Sequence, residues 1–114
     1  MNFATNYNKQ RAEELTERLA ADPSYSRSGK VANDLLTEFH FGYPLDNLRP
    51  LLHNDNTELV KIGTWIASEL GEEGNALLND VSPLLQHEDS KVRFFVINCI
   101  LLWADPSKGP ELAC

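Results

Sequence analysis

The chain has 114 residues, 42% hydrophobic and 24% charged, with a formal net charge of −7. That length suits one compact domain, and that balance lies well away from disordered compositions. The acid excess argues against a phosphate-binding surface, because nucleic-acid affinity depends on clustered positive charge.

The predicted elements are all helical. Residues 8–21 place Leu15 and Leu19 four apart among Glu13, Glu14, Glu17 and Arg18, which predicts a helix with one modest apolar side, stopped by Asp22-Pro23. A polar loop, 24–29, leads to a second helix over 30–41, with Ala32, Leu35, Leu36 and Phe39 at helical spacing and Gly42-Tyr43-Pro44 as its stop. A short helix is expected from Leu45 to about His53, with Pro50 inside it or at a bend. Asp55 and Glu58 resemble a capping box for a longer helix over 57–70, terminated by Gly71-Glu72-Glu73-Gly74. Residues 75–86 read as another short helix containing Pro83, and Asp89 is a candidate cap for the last helix, 90–104. The tail, 105–114, contains Pro106, Gly109 and Pro110 and reads as irregular. No strand is required anywhere.

Two of these helix pairs repeat each other. Leu48-Arg49-Pro50-Leu51-Leu52 returns as Val81-Ser82-Pro83-Leu84-Leu85, an offset of 83 − 50 = 33 residues with no gap. At the same offset Leu59, Ile62, Gly63, Ile66, Leu70 and Gly71 return as Val92, Phe95, Val96, Cys99, Trp103 and Ala104. A period in that range marks stacked helical hairpins. The expected architecture is therefore an all-α domain, a short α-solenoid of three hairpins: a divergent one at 8–41, then in-register repeats at 45–71 and 75–104.

The pattern of Pro-Leu-Leu, a polar turn and then Leu59-Val60-Lys61 or Asp89-x-x-Val92-Arg93 resembles the HEAT-repeat family over 45–104. The first hairpin lacks the motif, and Val60 and Phe94 fall where many repeats are polar. The resemblance implies a helical scaffold that works by binding. The family contains scaffolds, transport factors, lyase-like proteins, DNA-repair proteins and immunity proteins, so architecture alone does not select among them. In size and acidity the chain looks most like single-domain immunity proteins that neutralise secreted toxins. Residues 1–47 hold five Lys/Arg and seven Asp/Glu, net −2, and residues 48–114 hold five and ten, net −5. An acidic repeat region suits a basic partner such as a toxin nuclease domain, by steering the encounter.

The second copy departs from the first on its outer face. In 57–70 the core stripe is Leu59, Ile62, Gly63, Ile66 and Leu70, with Lys61, Thr64 and Ser68 opposite. In 90–104 those opposite positions are Phe94, Ile97 and Leu101, so only Arg93 and Asn98 interrupt an apolar circumference. A terminal unit should be polar outside, so something is expected to cover this helix. The tail through Pro106, Pro110 and Leu112, a second copy, or a different protein are the open choices, and a tail with one large aliphatic residue favours a partner. The expected partner surface is Phe94, Ile97 and Leu101, rimmed by Glu58, Glu88 and Asp89 and extended by Trp65 and Lys61. The competing reading makes these residues core against a misplaced helix.

Catalytic and cofactor signals are absent from the sequence. His40, His53 and His87 do not recur in register, and no His-x-x-x-His or Cys-x-x-Cys pair suggests a metal. No Gly-rich phosphate loop or nucleophile elbow occurs. Glu72-Glu73 and Glu88-Asp89 read as solvated turns. Cys99, on an apolar stripe, and Cys114, in the tail, read as free thiols of a reducing compartment. With no visible export signal and no apolar run long enough to span a bilayer, the expected location is the cytoplasm. The resulting expectation is a non-enzymatic protein-binding module without cofactor, metal, nucleic-acid or membrane partner, most specifically a toxin-immunity protein. A scaffold or regulatory subunit is the alternative, with a small lyase-like enzyme third and homodimerisation open.

Overall fold

The computed structural model describes residues 7–103. Its helices are α1 (Lys9–Ala21), α2 (Gly29–His40), α3 (Arg49–Leu52), α4 (Thr57–Glu69), α5 (Leu78–Val81) and α6 (Ser90–Trp103), and no strand occurs among the described residues. Local sequence explains most of the boundaries. Asn8 accepts a hydrogen bond from Arg11 N at 2.9 Å, supplying an orphan first-turn amide with an acceptor. Asn8 N in turn donates to Glu38 Oε1 at 2.7 Å, which ties the start of α1 to the end of α2. Gly42, at φ 109°, and Gly71, at φ 70°, adopt the left-handed backbone that ends α2 and α4.

Three expectations need correction. The cap of α4 is Asn56, whose side chain accepts from Glu58 N at 2.9 Å, so Asp55 and Glu58 form no capping box. The predicted helix over 75–86 is broken into a 3₁₀ segment Gly71–Leu77, the single turn α5, and a second 3₁₀ segment Ser82–Gln86. Pro83 has no N–H to give a continuing α-helix, and the Ser82 hydroxyl donates to Leu78 O at 2.6 Å just before it. The segment 45–53 divides in the same way, into a 3₁₀ turn Leu45–Asn47 and α3, with Pro50 in the first turn of α3. The third correction concerns the exposed side assigned to α4. Thr64 is 0% exposed, and Val60 and Ala67 beside it are also buried. Helix α4 packs against α2, α3 and α6, so its neighbours reach the side the wheel left to water. Thr64 tolerates this because its hydroxyl donates to Val60 O at 2.9 Å.

Helix α2 packs on α4 and α4 on α6, with α3 and the broken 71–86 segment beneath them. Three contacts along α6 show that it runs parallel to α4 and near the 33-residue register: Asp89 to Lys61 at 3.7 Å, Cys99 Sγ to Thr64 O at 4.0 Å, and Trp103 Nε1 to Gly71 O at 2.8 Å. The separations are 28, 35 and 32 residues. One continuous apolar core joins Leu15 and Leu19 of α1 to Val92 and Val96 of α6. Two close approaches fix the layers. A Cβ on Gly63 would lie 3.0 Å from Leu51 Cβ, and one on Gly74 would lie 2.6 Å from Trp103 Cζ2.

Candidate functional site

Helix α6 starts with a self-contained cap. Asp89 Oδ1 accepts from Lys91 N at 2.8 Å and Val92 N at 3.1 Å, as the sequence led us to expect. The Arg93 guanidinium turns back to donate to His87 O at 2.7 Å and Glu88 O at 3.0 Å. From there the helix buries Val92, Phe95, Val96, Cys99 and Trp103 and leaves its other side open. Phe94 is 57% exposed, Ile97 47%, Leu101 67% and Leu102 39%. The first three are spaced three and four residues apart, which places them on one stripe. Leu102 broadens it, a residue sequence reasoning had left out because it lies off the wheel position matching Ser68.

The rim differs from the expected ring of free carboxylates. Glu58 Oε1 accepts from Tyr25 N at 2.8 Å, and its other oxygen pairs with Lys61 Nζ at 2.9 Å. The same ammonium reaches Asp89 at 3.7 Å, so Glu58, Lys61 and Asp89 form one network joining the α1–α2 loop to the starts of α4 and α6. The Lys61 ammonium, followed by the Tyr25 amide, holds the Glu58 carboxyl below its ordinary range. Hydrogen bonding to Glu58 in turn raises Lys61. Burial pushes Asp89 up, but its bonds from the α6 amides and the nearby Lys61 charge outweigh that and leave it lowered. Of the expected acidic rim, Glu88 alone is exposed, and Glu58 and Asp89 are half-buried.

Trp65 is half-buried and looks elsewhere. It lines an open groove of about 290 Å³ with Tyr25, Ser26, Gly29, Ala32 and Ile62. Tyr25 is the residue that links this groove to α6: its ring lies 5.9 Å from Phe95, and both Lys61 Nζ and Lys91 Nζ sit 5.7 Å from its centroid. A single aromatic inside the polar run 24–29 was the signal available in sequence, and nothing local showed that it reaches a helix 70 residues later (95 − 25).

A second charged cluster joins α3 to α5. Asp80 accepts from Arg49 Nε at 3.0 Å and lies 2.8 Å from His53 Nε2, while Arg49 also pairs with Asp46. Burial raises the Asp80 carboxyl, yet the bonds from His53 and Arg49 hold it low overall. Burial pushes the Cys99 thiol up to about 12, far from the thiolate form that nucleophilic chemistry requires. No cluster of metal-ligating side chains occurs among the described residues, and no described helix is long and apolar enough to cross a membrane. The tail 105–114, one of the candidate covers for α6, lies outside the described residues, as does Ala104.

No protein-family model matches the chain, and no curated protein or solved structure matches it.

Proposed function

We propose that this chain is a short HEAT-like array that works by docking a partner protein on the outer face of α6, without catalysis. The observation that carries this is the contiguous exposure of Phe94, Ile97, Leu101 and Leu102 at the end of the helix layer. An isolated exposed Leu means little, but large apolar residues side by side on one helix are what an interface core uses. Binding energy comes from these anchors. The net charge of −7 supplies long-range attraction for a basic partner.

On this reading the most specific role is that of a cytoplasmic immunity protein that blocks a basic toxin nuclease by covering its active site or a surface beside it. Size, acidity and the Pro-Leu-Leu and Asp-x-x-Val-Arg resemblance support it. The test is titration of the chain into a toxin-type nuclease domain encoded beside its gene. Stoichiometric loss of nuclease activity is expected, with the Phe94→Asp variant folded but at least about 100-fold weaker. Full nuclease activity in the presence of excess chain would remove the immunity role, and unchanged inhibition by Phe94→Asp would remove α6 as the docking face.

A further inference from the structure

We infer that the groove between the start of α2 and α4 is a socket for one uncharged aromatic side chain, carried by the docked partner. The socket does not use the α6 stripe; that a partner protein supplies the ring rests on the docking reading above.

Size limits the occupant first. The groove holds about 290 Å³, near the lower bound of roughly 300 Å³ for small-molecule sites and about twice the roughly 150 Å³ that admits benzene. One ring with its linker fits, and a folded segment does not. The lining suits a flat apolar group: Ala32 and Ile62 are buried, and the half-buried rings of Tyr25 and Trp65 stand beside them. Aromatic pairs gain beyond the area they bury, which favours a ring over an aliphatic chain of the same size. The groove is open to solvent, so a free ring would stay partly wet and bind weakly. A ring held on a larger docked surface does not depend on this contact alone.

Charge excludes the other occupants. The chain carries −7 overall, yet the surroundings of the groove are balanced. Lys61 and Lys91 each place an ammonium 5.7 Å from the centre of the Tyr25 ring. Glu58 and Asp89 answer them, at 2.9 and 3.7 Å from Lys61. Next to Ser26 and Gly29 in sequence, Arg27 pairs with Asp22 at 2.8 Å and Lys30 with Asp34 at 3.2 Å. A cationic side chain seeking the Tyr25 face would meet two ammoniums already there. An anionic one would find those ammoniums matched by two carboxylates and would give up hydration for little return. A neutral ring meets neither obstacle.

Gly29 keeps the mouth clear. Its backbone is not left-handed, unlike that of Gly42 and Gly71, and a Cβ there would meet nothing within 4 Å. Neither conformation nor packing among the described residues calls for glycine at this point of the lining.

Two-dimensional NMR of the isotope-labelled chain tests the socket, following the Trp65 and Trp103 indole signals. The probes are N-acetyl-tyrosinamide, its leucine, arginine and aspartate counterparts, and p-cresol. The Trp65 signal should shift saturably with N-acetyl-tyrosinamide at millimolar concentration, while Trp103, bonded to Gly71 O, stays in place. The leucine, arginine and aspartate probes should each bind at least about 10-fold more weakly. Gly29→Leu, which should fold at least as well as the parent, should weaken the tyrosine probe at least about 10-fold too. No saturable shift overturns the proposal, as does equal binding of any of the other three amides or undiminished binding to Gly29→Leu. Binding of p-cresol without N-acetyl-tyrosinamide would reveal a site for free small molecules and overturn a side chain as the occupant. Phe94→Asp should leave ring binding unchanged, which keeps the two readings apart. A chain that binds the ring but inhibits no nuclease loses the immunity role and keeps the socket, whereas one that inhibits but binds no ring loses the socket alone.

Discussion

Lys61 occupies a position that looks like ordinary helix surface, yet its ammonium joins Glu58 at 2.9 Å and Asp89 at 3.7 Å, and through Glu58 it holds the Tyr25 amide. The carboxyls of Glu58, Asp80 and Asp89 are all held below their ordinary values. A depressed folded-state pKa means that the folded chain binds fewer protons than the unfolded chain in the acid range. The associated stability is therefore complete above the unfolded carboxylate pKa, roughly 4, and drains away as pH falls through the folded values. Urea unfolding should show a midpoint that is flat near neutrality and falls below about pH 5. Glu58→Gln should lower the neutral midpoint and shrink the acid drop, because it removes one of the groups responsible. An acid limb identical to the parent's would show that the Glu58 pairing contributes nothing. These groups are partly exposed, so solvent screening keeps each contribution modest.

At the scale of elements, the 71–77 turn and the end of α6 meet at close range. A Cβ on Gly74 would meet the Trp103 ring at 2.6 Å, and that ring is held by its own bond to Gly71 O. Gly74→Ala should cost about 1–3 kcal/mol of stability and disturb Trp103 fluorescence, as overpacking does when the obstructing group cannot swing aside. A loss below about 0.5 kcal/mol would mean the indole relocates freely. The long helices were legible because their signals are local: Asp89 as a cap, Asp22-Pro23 and Gly71 as stops, apolar positions at helical spacing. What escaped was what depends on neighbours. Thr64 reads as wet on a wheel, and only the placement of α2, α3 and α6 around α4 buries it. Residues 75–86 read as one short helix containing Pro83, and nothing local said that two 3₁₀ segments would flank a single turn there. For the candidate site, the Phe94, Ile97 and Leu101 stripe follows from periodicity and is exposed in the structure. Its rim does not follow, because the pairing of Glu58 and Asp89 with Lys61 closes between different helices, and Tyr25 arrives from a loop distant in sequence.

For the whole molecule, the two ends of the layer are unlike. Helix α1 presents Glu13, Glu14, Glu17 and Arg18 to solvent, whereas α6 presents Phe94, Ile97, Leu101 and Leu102. A charged face keeps one end from associating, and an apolar face at the other end favours association. With a net charge of −7, encounter with a basic partner should be steered, so its association rate should fall several-fold as ionic strength rises from low to physiological values. Dissociation should respond to the α6 anchors and hardly to salt. Stopped-flow kinetics separates the two, and a salt-independent association rate would remove the steering component.

The central claim is that the outer stripe of α6 faces solvent in the free chain and is kept for another molecule. Urea unfolding of the Phe94→Gln, Leu101→Gln double variant, at concentrations low enough to keep the chain monomeric, tests it most directly, since glutamine retains helix propensity while removing the apolar bulk. A stability within about 1 kcal/mol of the parent is the predicted result. A loss of about 4 kcal/mol or more, the scale of emptying two buried sites, would show that the stripe is part of the chain's own core and contradict the account.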